Sequence, residues 1–460
     1  MKRLVCSLDG TWNDDRKGSS QTNVAKLYRC LPSIAADGHR QIAHYIQGIA
    51  TTDGQRAQFL RGAVGLEVSE RIKRGFKFLS ANYEPGDEIY LFGFSRGAFE
   101  ARSLASFITL IGLPERGVPF NFDAAWNVYR QTAKKRDIDA LARLSADCHY
   151  PVRIRCIGVW DTVGNIGNPY RPNGIVSKRS HFHDMRLHDT IEIALQALAI
   201  DEQRATMSPT LWTLPLGAKQ PPGQHVEQTW FAGTHADIGG GWPEAGLSDV
   251  TLQWMADRVT ALTALSIDFE RLRMSTDANP RGVLHDSARG AAFFLDRLIP
   301  YIRLVNQKAV GAIPTLRRAL IGMRRTSALG GKTIALNEGV HPSVLRRFGK
   351  IVPVQSGDVI REALYMPRNL VAAIGAPIVI EKPKPAPAPV SAVPPPCLPP
   401  APEPVSERAS EPAKTSPIQS MSAPLAMATA SALASRSTIG QHAPVVAKNP
   451  QPSIAQRPAR

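Results

Sequence analysis

The sequence has few cysteines, and they follow no recognisable pattern. Five occur, at positions 6, 30, 148, 156 and 397, with irregular spacing and no CxxC pair. An odd number without paired spacing predicts neither a disulfide framework nor a thiolate metal site. We therefore expect a protein of a reducing compartment, in which Cys6 and Cys156 belong to the apolar core.

Long apolar runs are also absent. Residues 1–10 contain a short apolar run broken by Asp9, unlike a secretory signal peptide. No stretch approaches the roughly 18 apolar residues of a transmembrane helix. We expect a chain made in the cytoplasm, which would leave the cell only through a secretion system that needs no cleaved signal.

Acidic residues are outnumbered by basic ones. The chain has 55 Lys and Arg against 39 Asp and Glu, a formal net charge of +16 that is spread along the chain. This excess favours anionic partners such as a membrane surface, and it fits a generally basic soluble protein equally well. No nucleic-acid-binding module accompanies the charge, so we expect no nucleic acid as partner.

The C-terminal part lacks what a core requires. Residues 381–460 are rich in Pro, Ala and Ser and hold about half of the chain's 37 prolines. Such a segment cannot bury enough apolar surface to offset its conformational entropy, so we predict a disordered tail. Residues 1–380 are apolar enough for a large core. We divide them into a main domain at 1–350 and a closing segment at 351–380.

Strand-like and helix-like segments alternate through the main domain. This alternation predicts the α/β class, with a doubly wound, mostly parallel sheet and helices on both faces. Ligands of such sheets bind beyond the carboxyl ends of the strands. The predicted strands are 3–8, 89–92, 153–160 and 228–232, and the predicted helices are 68–79, 98–111, 190–200 and 252–262.

Residues 93–97, Gly-Phe-Ser-Arg-Gly, match the pattern G-x-S-x-G. A predicted strand leads into them and a predicted helix leaves them, which is the setting of a nucleophile elbow. Gly93 and Gly97 would remove the side chains that collide where strand and helix cross. We predict that Ser95 is a nucleophile. The alternative is an ordinary glycine-rich turn in which the serine caps the helix.

A serine hydroxyl needs a base, and in this fold the partners follow in the order Ser, acid, His. Of the eleven histidines, we predict His235, because it follows a predicted strand and lies in a glycine-rich loop. The other candidates lie in polar stretches or predicted loops, namely His181, His183, His188, His285 and His341.

Three aspartates are candidates for the residue that orients the base. Asp161 ends the predicted strand 153–160 and is our prediction, because a carboxylate there could hold the imidazole tautomer and stabilise its charged form. Asp237, two residues after His235, is the rival and would otherwise brace that loop. Asp201 is expected to close a helix within an ion-pair network.

Backbone N–H groups would stabilise the oxyanion of an acyl transfer. One belongs to Arg96, the residue after the predicted nucleophile, and the second to the loop after the first strand, at Gly10 or Thr11. Asp9, in the same loop, supports the site or binds a cation. No second carboxylate cluster with metal spacing accompanies it, so we predict neither a metal ion nor a cofactor.

Six motifs occur in order along the chain. Their combination resembles a family of mainly bacterial and fungal α/β-hydrolase-like proteins that includes the type 1 lipase effectors of type VI secretion. The likeness covers about residues 1–350. The motifs lie at 8–13 (LDGTWN), 22–24 (TNV), 93–98 (GFSRGA), 159–164 (VWDTVG), 199–204 (AIDEQR) and 230–241 (WFAGTHADIGGG).

The resemblance implies that residues 1–350 form an α/β-hydrolase-like catalytic domain with phospholipase or related esterase activity. It carries a triad over to Ser95, Asp161 and His235. It implies a lipid or membrane-surface substrate, and a secretion-system component or an immunity protein as candidate partner. Secreted members carry large extra regions for membrane binding or loading, whereas this chain has a moderate C-terminal region and a Pro/Ala-rich tail.

Residues 289–325 are the candidate membrane contact. Apolar residues alternate there with Arg297 and Arg303, which suits an interfacial helix attracted to anionic lipid. Pro300 and Pro314 break the pattern, which favours short helices that pack against the core. Residues 289–350 are accordingly predicted to be helical, with contact to the membrane or to a lid.

These motifs predict a serine hydrolase that cleaves carboxylic esters of phospholipids or other lipids through an acyl-enzyme. The alternative is a catalytically inactive hydrolase-fold scaffold that binds a protein or an anionic surface. Labelling by a serine-directed probe would distinguish the two.

Overall fold

The computed structural model describes residues 1–10, 20–48, 64–164, 187–288, 301–305, 333–367 and 369–370. Within these ranges the chain alternates between strands and helices, as the sequence predicts. The strands are β1 (Lys2–Leu8), β2 (Arg40–Ile46), β3 (Glu88–Phe94), β4 (Leu113–Pro114), β5 (Cys148–His149), β6 (Ile154–Trp160), β7 (Ile191–Ala199), β8 (Thr213–Pro215), β9 (His225–Phe231), β10 (Leu284–His285), β11 (Thr333–Ala335), β12 (Glu338–Val340), β13 (Ile351–Ser356) and β14 (Val359–Leu364).

The helices lie mostly between strands of the sheet. They are α1 (Asn23–Arg29), α2 (Val64–Asn82), α3 (Arg96–Ile111), α4 (Phe122–Tyr129), α5 (Ile138–Ser145), α6 (His235–Gly239), α7 (Gly246–Leu262), α8 (Phe269–Met274) and α9 (Pro342–Arg347). None of these described helices is long and apolar enough to cross a bilayer.

A seven-stranded sheet organises the domain, in the order β12-β9-β7-β6-β3-β1-β2. Every neighbouring pair in it is parallel. From β1 the chain adds β2 on one side and then returns to add β3 on the other. Because the winding direction reverses there, a crevice opens between the carboxyl ends of β1 and β3. The motifs at 8–13 and 93–98 begin at those two ends.

Apolar cores cover both faces of the sheet, which confirms the predicted α/β-hydrolase-like class. Strand residues alternate between the faces, so Leu4 and Leu91 pack with α2 and α3, whereas Val5 and Phe92 pack with α1 and α7. The central strands are therefore apolar on both sides.

Strand β7 corrects the prediction of a helix at residues 190–200. It lies between β6 and β9 and is buried on both faces, with Ala194 in one core and Leu195 in the other. A strand covered on both sides shows a continuous apolar run, so periodicity does not separate it from a buried helix. Its Ala and Leu residues, which are good helix formers, favoured the wrong alternative.

The prediction of a helical region at 289–350 is also wrong for many of the residues of that region that the structure describes. Residues 301–305 have no regular structure, β11 and β12 are strands, and α9 is a helix. Tyr301, Arg303 and Val305 are buried, so this stretch packs against the core. Residues 289–300 and 306–332, Thr11 and the predicted tail at 381–460 lie outside the described residues.

Gly93 and Gly97 let strand β3 and helix α3 meet closely. A Cβ atom on Gly97 would lie 2.1 Å from the carbonyl oxygen of Leu8, and one on Gly93 would lie 2.5 Å from that of Gly97. Both obstacles are backbone atoms and cannot rotate away. The steric reason predicted for these glycines therefore describes the observed crossing.

We expect Gly97→Ala to lower the free energy of unfolding by about 3 kcal/mol, because β1 and α3 must separate to admit the methyl group. Gly339→Ala is the matched control, since a Cβ atom there meets nothing within 4 Å. Denaturant unfolding measures both variants. Equal stability of the two would contradict the steric account.

Candidate active site

Ser95 lies at the sharp turn between β3 and α3. Its backbone has φ 59° and ψ −119°, a left-handed conformation that is strained for a residue with a side chain. The side chain makes no capping hydrogen bond to the helix. The alternative of an ordinary helix-capping serine therefore does not describe this turn.

His235 is the first residue of α6, directly beyond β9. Its Nε2 atom lies 2.8 Å from Ser95 Oγ, and its Nδ1 atom lies 2.6 Å from Asp161 Oδ2. The ring packs against Phe94, with 4.7 Å between ring centroids. Because a carboxylate at Nδ1 retains the proton on that nitrogen, Nε2 is left to accept a proton from the serine hydroxyl.

Asp161 follows β6 and is fully buried. Besides His235, its carboxylate accepts hydrogen bonds from the Ala199 N–H and from both terminal nitrogens of Arg303. Burial alone would raise the pKa of Asp161, but the charge of Arg303 and the hydrogen bond with His235 outweigh burial and hold it well below its usual range. The carboxylate is thus ionised and fully hydrogen-bonded.

The chain thus brings together the three residues predicted from sequence. Among the competing histidines, His341 caps α9 and stacks on Phe231, and His285 binds Asp237. His181 and His183 lie outside the described residues.

Arg303 is the residue of this site that sequence reasoning missed. It is fully buried, and its guanidinium also donates to the carbonyl oxygens of Ala199 and Met207. The available signal was an arginine inside the otherwise apolar run at 301–305. A buried arginine needs acceptors for its guanidinium, but the sequence does not say which carboxylate or carbonyl groups supply them.

Three carboxylates, of which Glu202 and Asp237 are buried, hold the loop that carries His235. The consecutive N–H groups of residues 233, 234 and 235 donate to Asp201 at 2.7 Å, to Asp237 at 2.9 Å and to Glu202 at 3.2 Å, respectively. This arrangement corrects the prediction for Asp201, which follows a strand and does not close a helix. Asp237 braces the loop, as the alternative for that residue proposed.

Asp201 titrates differently from an exposed aspartate. Burial raises its pKa from 3.8 to about 6, although hydrogen bonds from Gly233 and Tyr365 act in the opposite direction. The folded state therefore favours the protonated acid, and the stability it contributes at low pH is lost as the pH rises from about 4 to about 6.

We expect Asp201→Asn to remove this loss while keeping an acceptor for Gly233. Relative to the wild type, the free energy of unfolding of the variant should rise by about 2 kcal/mol between pH 4 and pH 8. Urea unfolding at both pH values measures the change. If the variant and the wild type differed in free energy of unfolding by the same amount at pH 4 and pH 8, the account would be contradicted.

The loop after β1 carries the other predicted site residues. Asp9 is buried and accepts hydrogen bonds from the hydroxyls of Thr22 and Tyr45 and from the Gly10 N–H, at 2.6 Å for the last. Burial raises the pKa of Asp9 against these hydrogen bonds. The predicted second oxyanion donor at Gly10 is thus already engaged by Asp9. Arg96, the other predicted donor, begins α3.

The TNV motif connects this loop to α6. Thr22 caps α1 and pairs with Gly240, and the Asn23 side-chain amide donates to the carbonyl oxygens of Ile238 and Ser248. The motif therefore fixes the helix that bears His235 against the end of β1. In the described ranges, no group of three or more His, Cys, Asp or Glu residues suits a metal ion.

The parallel sheet with helices on both faces, and the serine turn at its switch point, define an α/β protein of the hydrolase-like class. Residues 2–258 match the family described as "T6SS, Phospholipase effector Tle1-like, catalytic domain". The match covers more than half of the chain, and the protein belongs to this family.

The chain is also similar to a yeast protein and to a bacterial protein. A yeast protein, "Uncharacterized protein YEL023C" of Saccharomyces cerevisiae, is 26% identical over 234 residues, which are 46% of this chain and 33% of that protein. The chain thus spans about a third of its relative's length. An uncharacterized protein from Pseudomonas aeruginosa, known from a crystal structure, is 17% identical with a TM-score of 0.38, over 61% of this chain and 49% of the other.

Proposed function

We propose that the protein is a serine hydrolase that cleaves acyl esters of lipids, with Ser95 as nucleophile, His235 as base and Asp161 as the residue that orients the base. The hydrogen-bonded series from Ser95 Oγ through His235 to Asp161 carries this proposal. Its two distances, 2.8 and 2.6 Å, are those that proton transfer from serine to histidine requires.

In the first step, His235 Nε2 accepts the hydroxyl proton as Ser95 Oγ forms a bond to the ester carbonyl carbon. The resulting imidazolium donates that proton to the leaving alcohol oxygen when the ester C–O bond breaks, which leaves an acyl-serine. Water then attacks the acyl carbon as His235 Nε2 takes its proton, and the imidazolium returns that proton to Ser95 Oγ as the bond between the acyl carbon and Oγ breaks and the carboxylic acid leaves. The ionised Asp161 stabilises the imidazolium in both steps.

The oxyanion of each tetrahedral intermediate needs donors at the serine turn. The N–H of Arg96 directly follows Ser95 at the positive end of the α3 dipole, and we assign it the first position. The second donor would come from the loop that begins at Gly10. Gly10 itself must release Asp9 to fill that position, whereas Thr11 lies outside the described residues.

Membership of a phospholipase effector family supports a phospholipid, or another lipid ester, as the substrate class. The same family supports a secretion-system component or an immunity protein as partner, and export without a cleaved signal. These assignments rest on the family alone.

Fatty-acid release from vesicles of phosphatidylcholine and phosphatidylglycerol tests the proposal, with a soluble short-chain ester as comparison. We expect release from the vesicles. Hydrolysis of the soluble ester alone would support an esterase and contradict the lipid assignment. A folded protein that hydrolyses neither, and that a serine-directed probe does not label, would support the inactive scaffold.

A further inference from the structure

The Asp161 carboxylate contacts more donors than the orientation of one histidine needs. Oδ1 accepts from Ala199 N–H and from Arg303 Nη1 at 2.6 Å, and Oδ2 accepts from Arg303 Nη2 at 2.9 Å and from His235. The arginine and the carboxylate therefore form a parallel, two-pronged pair. Two parallel hydrogen bonds between flat groups favour a common plane for the guanidinium and the carboxylate.

The guanidinium is itself fixed from behind. Its two terminal nitrogens also donate to the carbonyl oxygens of Ala199 and Met207, and the side chain is fully buried. Asp161 itself has a positive φ of 41°, which is uncommon for a residue with a side chain.

We propose that Arg303 is a positioning residue of the hydrolytic site, whose guanidinium sets the plane of the Asp161 carboxylate and thereby the orientation of the His235 ring. This inference rests on the proposed function of Ser95, His235 and Asp161. Arg303 touches no reacting atom, and it acts through Asp161.

Two substitutions test the two-pronged pair. Arg303→Lys keeps a cation opposite Asp161 but loses the two-pronged geometry, so we expect Ser95 to be labelled about tenfold more slowly by a fluorophosphonate. Arg303→Gln loses the guanidinium as well as its charge, so we expect labelling to slow by at least about tenfold.

Arg347→Lys is the matched control. That arginine is also fully buried, and it donates to the carbonyl oxygens of Pro280 and Gly282. We expect its labelling rate to equal that of the wild type. A wild-type labelling rate for Arg303→Lys, or for folded Arg303→Gln, would overturn the positioning role.

A third variant keeps the test decisive if Arg303→Gln does not fold. Arg303→Ala leaves a space for a small cation, and millimolar guanidinium should restore labelling whereas ethylammonium should not. Equal restoration by both ions, or by neither, would overturn the positioning role.

Proton NMR makes the inference independent of activity. The Nδ1–H of His235, hydrogen-bonded to Asp161, should give a downfield resonance in the wild type and in Arg347→Lys that shifts or broadens in each Arg303 variant. If the wild type shows neither labelling nor hydrolysis, the proposed function fails. An unchanged resonance in the Arg303 variants contradicts the positioning role alone.

Discussion

Ser95→Ala should abolish ester hydrolysis, with kcat about 10⁶-fold lower, because the acyl-enzyme can no longer form. The fold should remain intact, since alanine fits where serine is and the side chain makes no capping hydrogen bond. Vesicle hydrolysis and thermal unfolding of the variant measure the two effects separately.

Ser106→Ala is the control for this substitution. Ser106 is also buried, and it lies about three turns further along the same helix. We expect its kcat to remain within a factor of about two of the wild type, because it is remote from the acyl-transfer chemistry. If Ser95→Ala retained more than a trace of hydrolysis in a homogeneous preparation, another residue would be the nucleophile.

Asp161→Asn should lower kcat by about 10⁴ and destabilise the fold as well. Two donors, the N–H of Ala199 and the guanidinium of Arg303, point at Oδ1 of Asp161. The asparagine oxygen should therefore occupy the position of Oδ1, which places the amide NH₂ group next to His235. The Nδ1 atom must then accept, and Nε2 keeps the proton that it should be taking from Ser95.

The loss of stability has a separate cause. The substitution leaves the buried Arg303 without its carboxylate partner, which costs about 3–5 kcal/mol. Asp249→Asn is the matched control, because Asp249 pairs with the buried Lys26 at 2.6 Å, outside the Ser95–His235–Asp161 series. Chemical unfolding and vesicle hydrolysis should show that variant destabilised but active. A fully stable Asp161→Asn would contradict the role of Arg303 as its partner.

Local patterns account for the part of the site that the sequence predicts. Ser95 lies in a five-residue motif between a strand and a helix, and everything that identifies it is adjacent in the chain. Asp161 and His235 were found by their positions at strand ends, because a parallel sheet brings those ends to one edge. Their meeting therefore follows from the predicted fold class.

Contacts between carboxylates and backbone N–H groups leave no pattern in the sequence. Asp201 and Glu202 hold the loop of His235 through its N–H groups, and any sequence at that loop would present the same N–H groups. The engagement of the Gly10 N–H by Asp9 is of the same kind. These roles are visible only when the loops are placed in space.

Long-range partners were equally hidden. Arg303 is 142 positions from Asp161 and lies in a stretch without regular structure, so neither periodicity nor a motif connects the two. Strand β7 was mistaken for a helix for a related reason. Its burial on both faces depends on its neighbours β6 and β9, which an isolated apolar run does not reveal.

The identity of the nucleophile is the central claim, and mapping of a covalent adduct tests it most directly. The protein should be treated with a fluorophosphonate, digested with trypsin and sequenced by mass spectrometry. The account predicts a single adduct on Ser95, in the peptide 78–96, which is absent from His235→Ala. An adduct on another residue, or none on a folded protein, would contradict it.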